Sequence, residues 1–203
     1  MRGSFHAVEF AIHAAKLLEV EPVVKYAALS LFSGRFAASL ERIIAGGTTK
    51  RHWLLHPVSD SNLQLFALIS IWISSKMYMS KPLSAKALKS LGDAVITEQH
   101  FTSKDYFEAE VVFLQAMDFE IGCASSAFAM LQELYVQFKE VAKVGDLIDF
   151  RACTDILDLL YEKEEMSRLY LSPVALAASI LVCSYIITVP KQAWEFPILL
   201  WVA

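Results

Sequence analysis

The sequence has few cysteines, and their arrangement matches neither a zinc motif nor a disulfide framework. Cys123, Cys153 and Cys183 lie far apart, and no CxxC pair or His/Cys cluster accompanies them. The five histidines never pair with another metal ligand at the required spacing on a readable helix face. We therefore expect no metal site, and we expect the thiols to be reduced core residues of an intracellular protein.

A basic excess and the common signals of catalysis are also missing. The 18 lysine and arginine residues are outnumbered by 22 aspartate and glutamate residues, whereas nucleic-acid-binding proteins usually carry a basic stripe. The glycines of AGGTTK (45–50) lack the P-loop spacing, and Ser74, Ser75 and Cys153 suggest no nucleophile–base arrangement. We expect no nucleic-acid partner, no enzymatic activity, no cofactor and no small-molecule substrate.

No apolar run has the length of a membrane span. Leu65–Ile73 covers nine residues and Pro173–Val189 covers 17, with Ser179, Ser184 and Thr188 inside the second run. Since a spanning helix needs about 20 apolar residues, we interpret 173–189 as a core helix whose faces are all covered by neighbours. The N-terminal MRGSFHAVEF lacks the apolar run of a secretory signal, which agrees with the expectation of an intracellular protein.

What the chain does contain is a strongly apolar composition with helical periodicity. Hydrophobic residues make up 56% of the 203 residues, and no alternating β pattern is sustained, which predicts an all-α protein. DFEIGCASS (118–126) is typical of a linker, so we expect a first domain over 1–122 and a second over 123–203. The predicted helices cover residues 5–19, 22–44, 60–79, 84–95, 103–117, 126–142, 149–164 and 172–189.

Two of these helices each carry one charge among apolar neighbours. Residues three and four positions apart are neighbours on a helix, and an unpaired buried charge costs several kcal/mol. Either Lys76 extends to water and Glu110 is exposed or paired with it, or both charges project at a partner protein. The apolar neighbours are Trp72, Ile73 and Met79 around Lys76, and Tyr106, Phe107, Phe113 and Leu114 around Glu110.

The same two stretches resemble the third and fifth helices of the cyclin box. They read NLQLFALISIWISSKMY and, some 25 residues later, FTSKDYFEAEVVFLQAMDFEIG. In cyclins a lysine and a glutamate of these helices contact the kinase, and the matching positions are Lys76 and Glu110. VVKYAALSLF and AASILVCSYIITVPKQ are similar to plant J-type cyclins, and the resemblance covers essentially the whole chain. The apolar positions that face the kinase in the family correspond to Ile73, Met77, Leu114, Phe119 and Ile121.

The resemblance implies a cyclin fold with one complete five-helix box and a shortened second cyclin-like half, the latter over 123–203. It also implies a regulatory subunit that binds and activates a cyclin-dependent serine/threonine protein kinase in cell-cycle control. The expected location is then the nucleus, the cytoplasm or both. No membrane partner is expected.

The chain departs from the family pattern in its first two helices. The buried arginine–aspartate pair of the family corresponds to Phe5 or His6 and to Gly34, so both halves are absent together. The substrate-recruiting motif of the first helix is missing, and residues 5–19 contain no tryptophan. An alternative function is therefore a non-activating interaction module. A nucleic-acid-binding cyclin fold, which the acidic charge opposes, and membrane attachment through the C-terminal PILLWVA are further alternatives.

Overall fold

The computed structural model describes residues 2–46, 52–122, 126–141, 143–162 and 172–189, and no strand occurs among them. The all-α prediction is confirmed, and the ends of the predicted helices differ from the observed ones by at most three residues. A π-helical turn, Ser30–Phe36, joins α2 to α3 without a break, and a 3-10 turn covers Lys143–Leu147. The α-helices are α1 (Arg2–Leu17), α2 (Pro22–Leu29), α3 (Ala37–Gly46), α4 (Asp60–Tyr78), α5 (Ala85–Val95), α6 (Ser103–Ala116), α7 (Ala127–Val141), α8 (Phe150–Tyr161) and α9 (Pro173–Thr188).

The helices that carry Lys76 and Glu110 begin at side-chain caps. Ser59 Oγ accepts a hydrogen bond from the Asn62 amide at 3.1 Å and so starts α4. Thr102 and Asp105 form a reciprocal capping box at the start of α6. These caps fix where each helix begins, and therefore which face each later side chain occupies.

The chain forms two compact units, residues 1–124 and 125–203. In the first unit α4 is the central helix, packed against α1, α2, α5 and α6. Neighbours on several sides explain why α4 is apolar almost all round, with residues 65–75 buried. Phe36, at the end of the π-helical turn, is fully buried, and its ring centroid lies 4.5 Å from that of Phe113 in α6.

In the second unit α9 packs against α7 and α8. The Ser184 hydroxyl donates to the Asp149 carbonyl at 3.0 Å, which ties α9 to the start of α8. Ile186 and Ile187 are exposed, so the expectation that neighbours cover every face of this helix is wrong for its last turns. None of the helices in the described ranges is both long and apolar enough to cross a membrane.

The cysteines divide between core and surface. Cys153 in α8 is buried, and burial raises the pKa of its thiol, as expected of a core cysteine. Cys183 is exposed, so the prediction of a core thiol is wrong there, because it lies on the face of α9 that α7 and α8 leave open. Cys123 lies outside the described residues.

Gly92 in α5 is a position where an added methyl group would collide with the core. Its Cβ would lie 1.9 Å from the hydroxyl oxygen of Tyr106, a buried residue whose hydroxyl donates to the Leu88 carbonyl at 3.4 Å. We expect Gly92→Ala to lower the free energy of unfolding by about 1–3 kcal/mol, measured by chemical denaturation. Gly34→Ala is the control, because a Cβ added there would meet no atom within 4 Å apart from its chain neighbours and the backbone of its own helix. An equal loss in both variants would contradict the steric explanation.

Candidate functional site

Lys76 and Glu110 are each other's partner. Lys76 lies in the last turn of α4 and Glu110 in α6, and Lys76 Nζ is 2.5 Å from Glu110 Oε1. The Lys76 side chain is 40% exposed and the Glu110 side chain 18% exposed. The structure therefore has the mutual pairing that the sequence left open, and the pair still reaches the surface, where a second molecule could contact it.

The ring of Trp72 packs against the ammonium group of Lys76. Lys76 Nζ lies 3.7 Å from the centroid of the Trp72 ring, a cation–π contact. The indole Nε1–H donates to the Leu83 carbonyl at 2.8 Å, and the indole and Phe107 rings make a T-shaped contact with their centroids 5.5 Å apart. A carboxylate and an indole thus hold the ammonium group from two directions. Because an ammonium group has three donors, it can bind Glu110 and also donate to a backbone carbonyl of a partner.

The apolar residues predicted to contact a partner differ in exposure. Met77 and Phe119 are exposed, whereas Leu114 and Ile121 are half-buried. Ile73 is only 3% exposed, because this part of α4 packs inside the first unit. Little of the Ile73 surface is therefore open to a partner in the free protein, and its contact with a kinase stays a prediction.

Two further exposed apolar residues were not among the predicted contacts. Phe107 and Val111 lie on α6 four residues apart, and Leu114 follows three residues later, so all three share one face of the helix. The helical period already puts Phe107 beside Glu110, and it puts Val111 on the same face as Phe107 and Leu114. We call Lys76, Met77, Phe107, Glu110, Val111, Leu114, Phe119 and Ile121 the α4–α6 surface.

The chain turns sharply after α6 and presents Phe119. Asp118 and Phe119 have φ angles of 51° and 60°, in the left-handed region that bulky residues seldom adopt. The Phe119 amide donates back to the Leu114 carbonyl at 2.8 Å, which closes the end of the helix. Phe119 is 62% exposed, so this unfavourable backbone conformation places a large apolar residue at the surface.

An open polar cleft of about 360 Å³ lies elsewhere in the first unit. Its α1 side is formed by His6, Glu9, Phe10 and His13. Within the ranges that the structure describes, no group of three or more histidine, cysteine or acidic side chains could hold a metal ion. The α1 residues that line the cleft are therefore mostly polar. Its remaining lining residues are Asp60, Gln64, Thr97 and Glu98.

Comparison with known proteins identifies the family. The chain is 58% identical over 195 residues to Cyclin-J18 of Arabidopsis thaliana, covering 96% of this chain and 83% of that protein. It is 52% identical over 200 residues to Cyclin-J18-like of Oryza sativa subsp. japonica, covering 96% of this chain and 77% of that protein. The chain belongs to the cyclin family. The predicted similarity to plant J-type cyclins is confirmed.

The fold of this cyclin agrees with that assignment. It superposes on the X-ray structure of a viral cyclin from herpesvirus saimiri with a TM-score of 0.69 and 16% sequence identity, over 98% of this chain and 74% of the viral one. The all-α cyclin fold is therefore confirmed. A scan against models of protein families finds no match. The kinase-binding role of the predicted residues and the description of 123–203 as a shortened second domain stay predictions.

Proposed function

We propose that this cyclin binds a cyclin-dependent serine/threonine protein kinase through the α4–α6 surface and activates it in cell-cycle control. In this function it is a regulatory subunit without catalysis of its own. The observation that carries the proposal is the Lys76–Glu110 pair, held at 2.5 Å among exposed apolar side chains of a cyclin fold. The membership of the cyclin family supports the choice of a kinase as the partner.

The geometry of the pair suits a contact with backbone groups of a partner. Before binding, the two opposite charges satisfy each other, so neither is left unpaired beside Phe107 and Leu114. In a complex the lysine would donate to carbonyl oxygens and the glutamate would accept from amides. The apolar residues around the pair would exclude water and strengthen these hydrogen bonds by lowering the local dielectric constant.

Activation requires that the cyclin distinguish two conformations of the kinase. A ligand shifts a conformational equilibrium only by its difference in affinity for the two states. A change from 1:99 to 99:1 in favour of the active state needs a difference of about 10⁴-fold. We propose that Phe119, Leu114 and Val111 contribute to this difference by packing against a movable element of the kinase in its active position only.

A panel of purified cyclin-dependent kinases tests the proposal, with binding to the immobilised cyclin and phosphorylation of a histone-type substrate measured on the same samples. We expect at least one kinase both to bind and to phosphorylate the substrate faster than the kinase alone. The physical reason is that binding populates the active conformation. Absence of binding across the panel would refute the proposal.

A non-activating interaction module is the second candidate function. The composition of α1 favours it, because the family's substrate-recruiting motif is missing from this helix and its exposed residues include the polar His6, Glu9 and His13. Kinase binding without faster phosphorylation would support this candidate against activation. Phosphorylation of a short peptide but not of the larger histone-type substrate would instead indicate an active kinase that lacks substrate docking.

A further inference from the structure

Arg35 connects the π-helical turn to the chain that follows α6. Its guanidinium Nη1 donates to the Glu120 carbonyl at 2.7 Å, across 85 positions of sequence. A hydrogen bond from a charged donor is stronger than one between neutral groups. The bond ends at the residue directly after Phe119. Arg35 is thus placed to fix the backbone that carries this exposed ring.

The backbone of Arg35 is itself fixed relative to α6. The next residue, Phe36, is fully buried, with its ring centroid 4.5 Å from Phe113 of α6 and 4.7 Å from Phe66 of α4. A close-packed aromatic cluster resists displacement, because interiors have few voids into which a ring could move. Two consecutive residues therefore contact α6 and the segment after it: Phe36 packs against the buried face of α6, and Arg35 binds the backbone beyond the end of this helix.

The turn after α6 needs such support because its backbone conformation is unfavourable. Asp118 and Phe119 follow each other with positive φ angles, and neither is a glycine. Residues in sparsely populated backbone regions persist only where surrounding contacts hold them. The turn's own backbone hydrogen bonds are local, none reaching further back than Leu114: Asp118 N–H to Gln115 O at 3.1 Å, Phe119 N–H to Leu114 O at 2.8 Å, Glu120 N–H to Met117 O at 2.9 Å and Ile121 N–H to Phe119 O at 3.0 Å. The bond from Arg35 attaches it to a second element.

We propose that Arg35 is a positioning residue of the kinase-binding surface: its hydrogen bond to the Glu120 carbonyl fixes the left-handed turn that presents Phe119. The proposal rests on the proposed function, since Phe119 matters here as a kinase contact. Arg35 acts through Phe119 and makes no contact with the kinase. Loss of Arg35 should therefore weaken kinase binding only as long as Phe119 is present.

Hydrogen exchange of the free protein tests the first part without any kinase. In Arg35→Ala we expect amide exchange in residues 117–122 to be at least about fivefold faster than in the wild type, because the turn opens more often. Arg42→Ala is the matched control, since Arg42 donates at 2.8 Å to Ser39 Oγ in its own helix and should leave 117–122 unchanged. Arg35→Lys keeps a donor and should give intermediate exchange. Unchanged exchange in Arg35→Ala overturns the proposal.

A double-mutant cycle with the kinase tests the second part. We expect Arg35→Ala and Phe119→Ala each to raise the Kd about tenfold, and the double variant to raise it no more than Phe119→Ala alone. Additive effects would mean that Arg35 acts independently of Phe119 and would overturn the positioning role. Absence of binding by the wild type would refute the proposed function instead. The exchange measurement distinguishes the two failures, because it needs no kinase.

Discussion

Simultaneous replacement of Lys76 and Glu110 by alanine is expected to abolish kinase binding while the helical circular dichroism stays unchanged. Truncating an interface charge that becomes buried in a complex costs about 2–5 kcal/mol, part of it the penalty of leaving the partner's groups unpaired. The loss of binding free energy from both truncations would leave a complex of moderate affinity too weak to detect. The fold should survive, because the pair reaches the surface, with 40% of the Lys76 side chain exposed. Binding is measured by titration with the cyclin-dependent kinase that binds the immobilised cyclin in the panel described above.

The single variants should differ from the double variant in stability. In Lys76→Ala the Glu110 carboxylate, 18% exposed, would remain beside Phe107 and Leu114 without its cation. Removing one partner of a poorly solvated ion pair is more harmful than removing both. We therefore expect the lowest melting temperature in Lys76→Ala and partial recovery in the double variant. A double variant less stable than both single ones would contradict this explanation.

The chain offers a matched control on α5. Lys89 and Asp93 form an ion pair with Nζ 2.5 Å from Oδ2, and their side chains are 34% and 41% exposed. Replacing both by alanine removes the same two kinds of charge from the same compact unit, outside the α4–α6 surface. Kinase affinity should be unchanged. Equal losses from both double variants would indicate a general electrostatic effect, and full affinity without Lys76 and Glu110 would show that the kinase binds elsewhere.

The features that sequence predicts well here are those set by local spacing. Lys76 and Glu110 were found because positions three and four apart share a helix face, so their apolar neighbours can be read from the printed chain. The helices themselves follow from the same period, together with caps such as Ser59 and Thr102. Local rules therefore predict the helices and single out the two charges, whereas the assignment of these charges to a kinase-binding site comes from the resemblance to cyclins.

The remaining features depend on which helices meet in space. The burial of Ile73 follows from the packing of α4 against several helices at once, and no helical period shows how many neighbours a face has. The exposure of Cys183 has the converse cause, an uncovered face of α9. The positive φ angle of Phe119 runs against its residue type, so sequence alone argues against it. Such a conflict between a local preference and the structure is expected where a surface is specialised.

Phe36→Ala is expected to lower the free energy of unfolding of the first unit by about 3–5 kcal/mol, the cost of deleting a fully buried aromatic ring and leaving a cavity. The ring lies 4.5 Å from that of Phe113 and 4.7 Å from that of Phe66, so its loss removes contacts to both α6 and α4. Chemical denaturation followed by circular dichroism measures the change. Phe119→Ala is the control, because Phe119 is 62% exposed. It should change stability by less than about 0.5 kcal/mol and yet weaken kinase binding. Equal destabilisation by both variants would show that Phe119 stabilises the fold and is not a residue exposed for binding a partner.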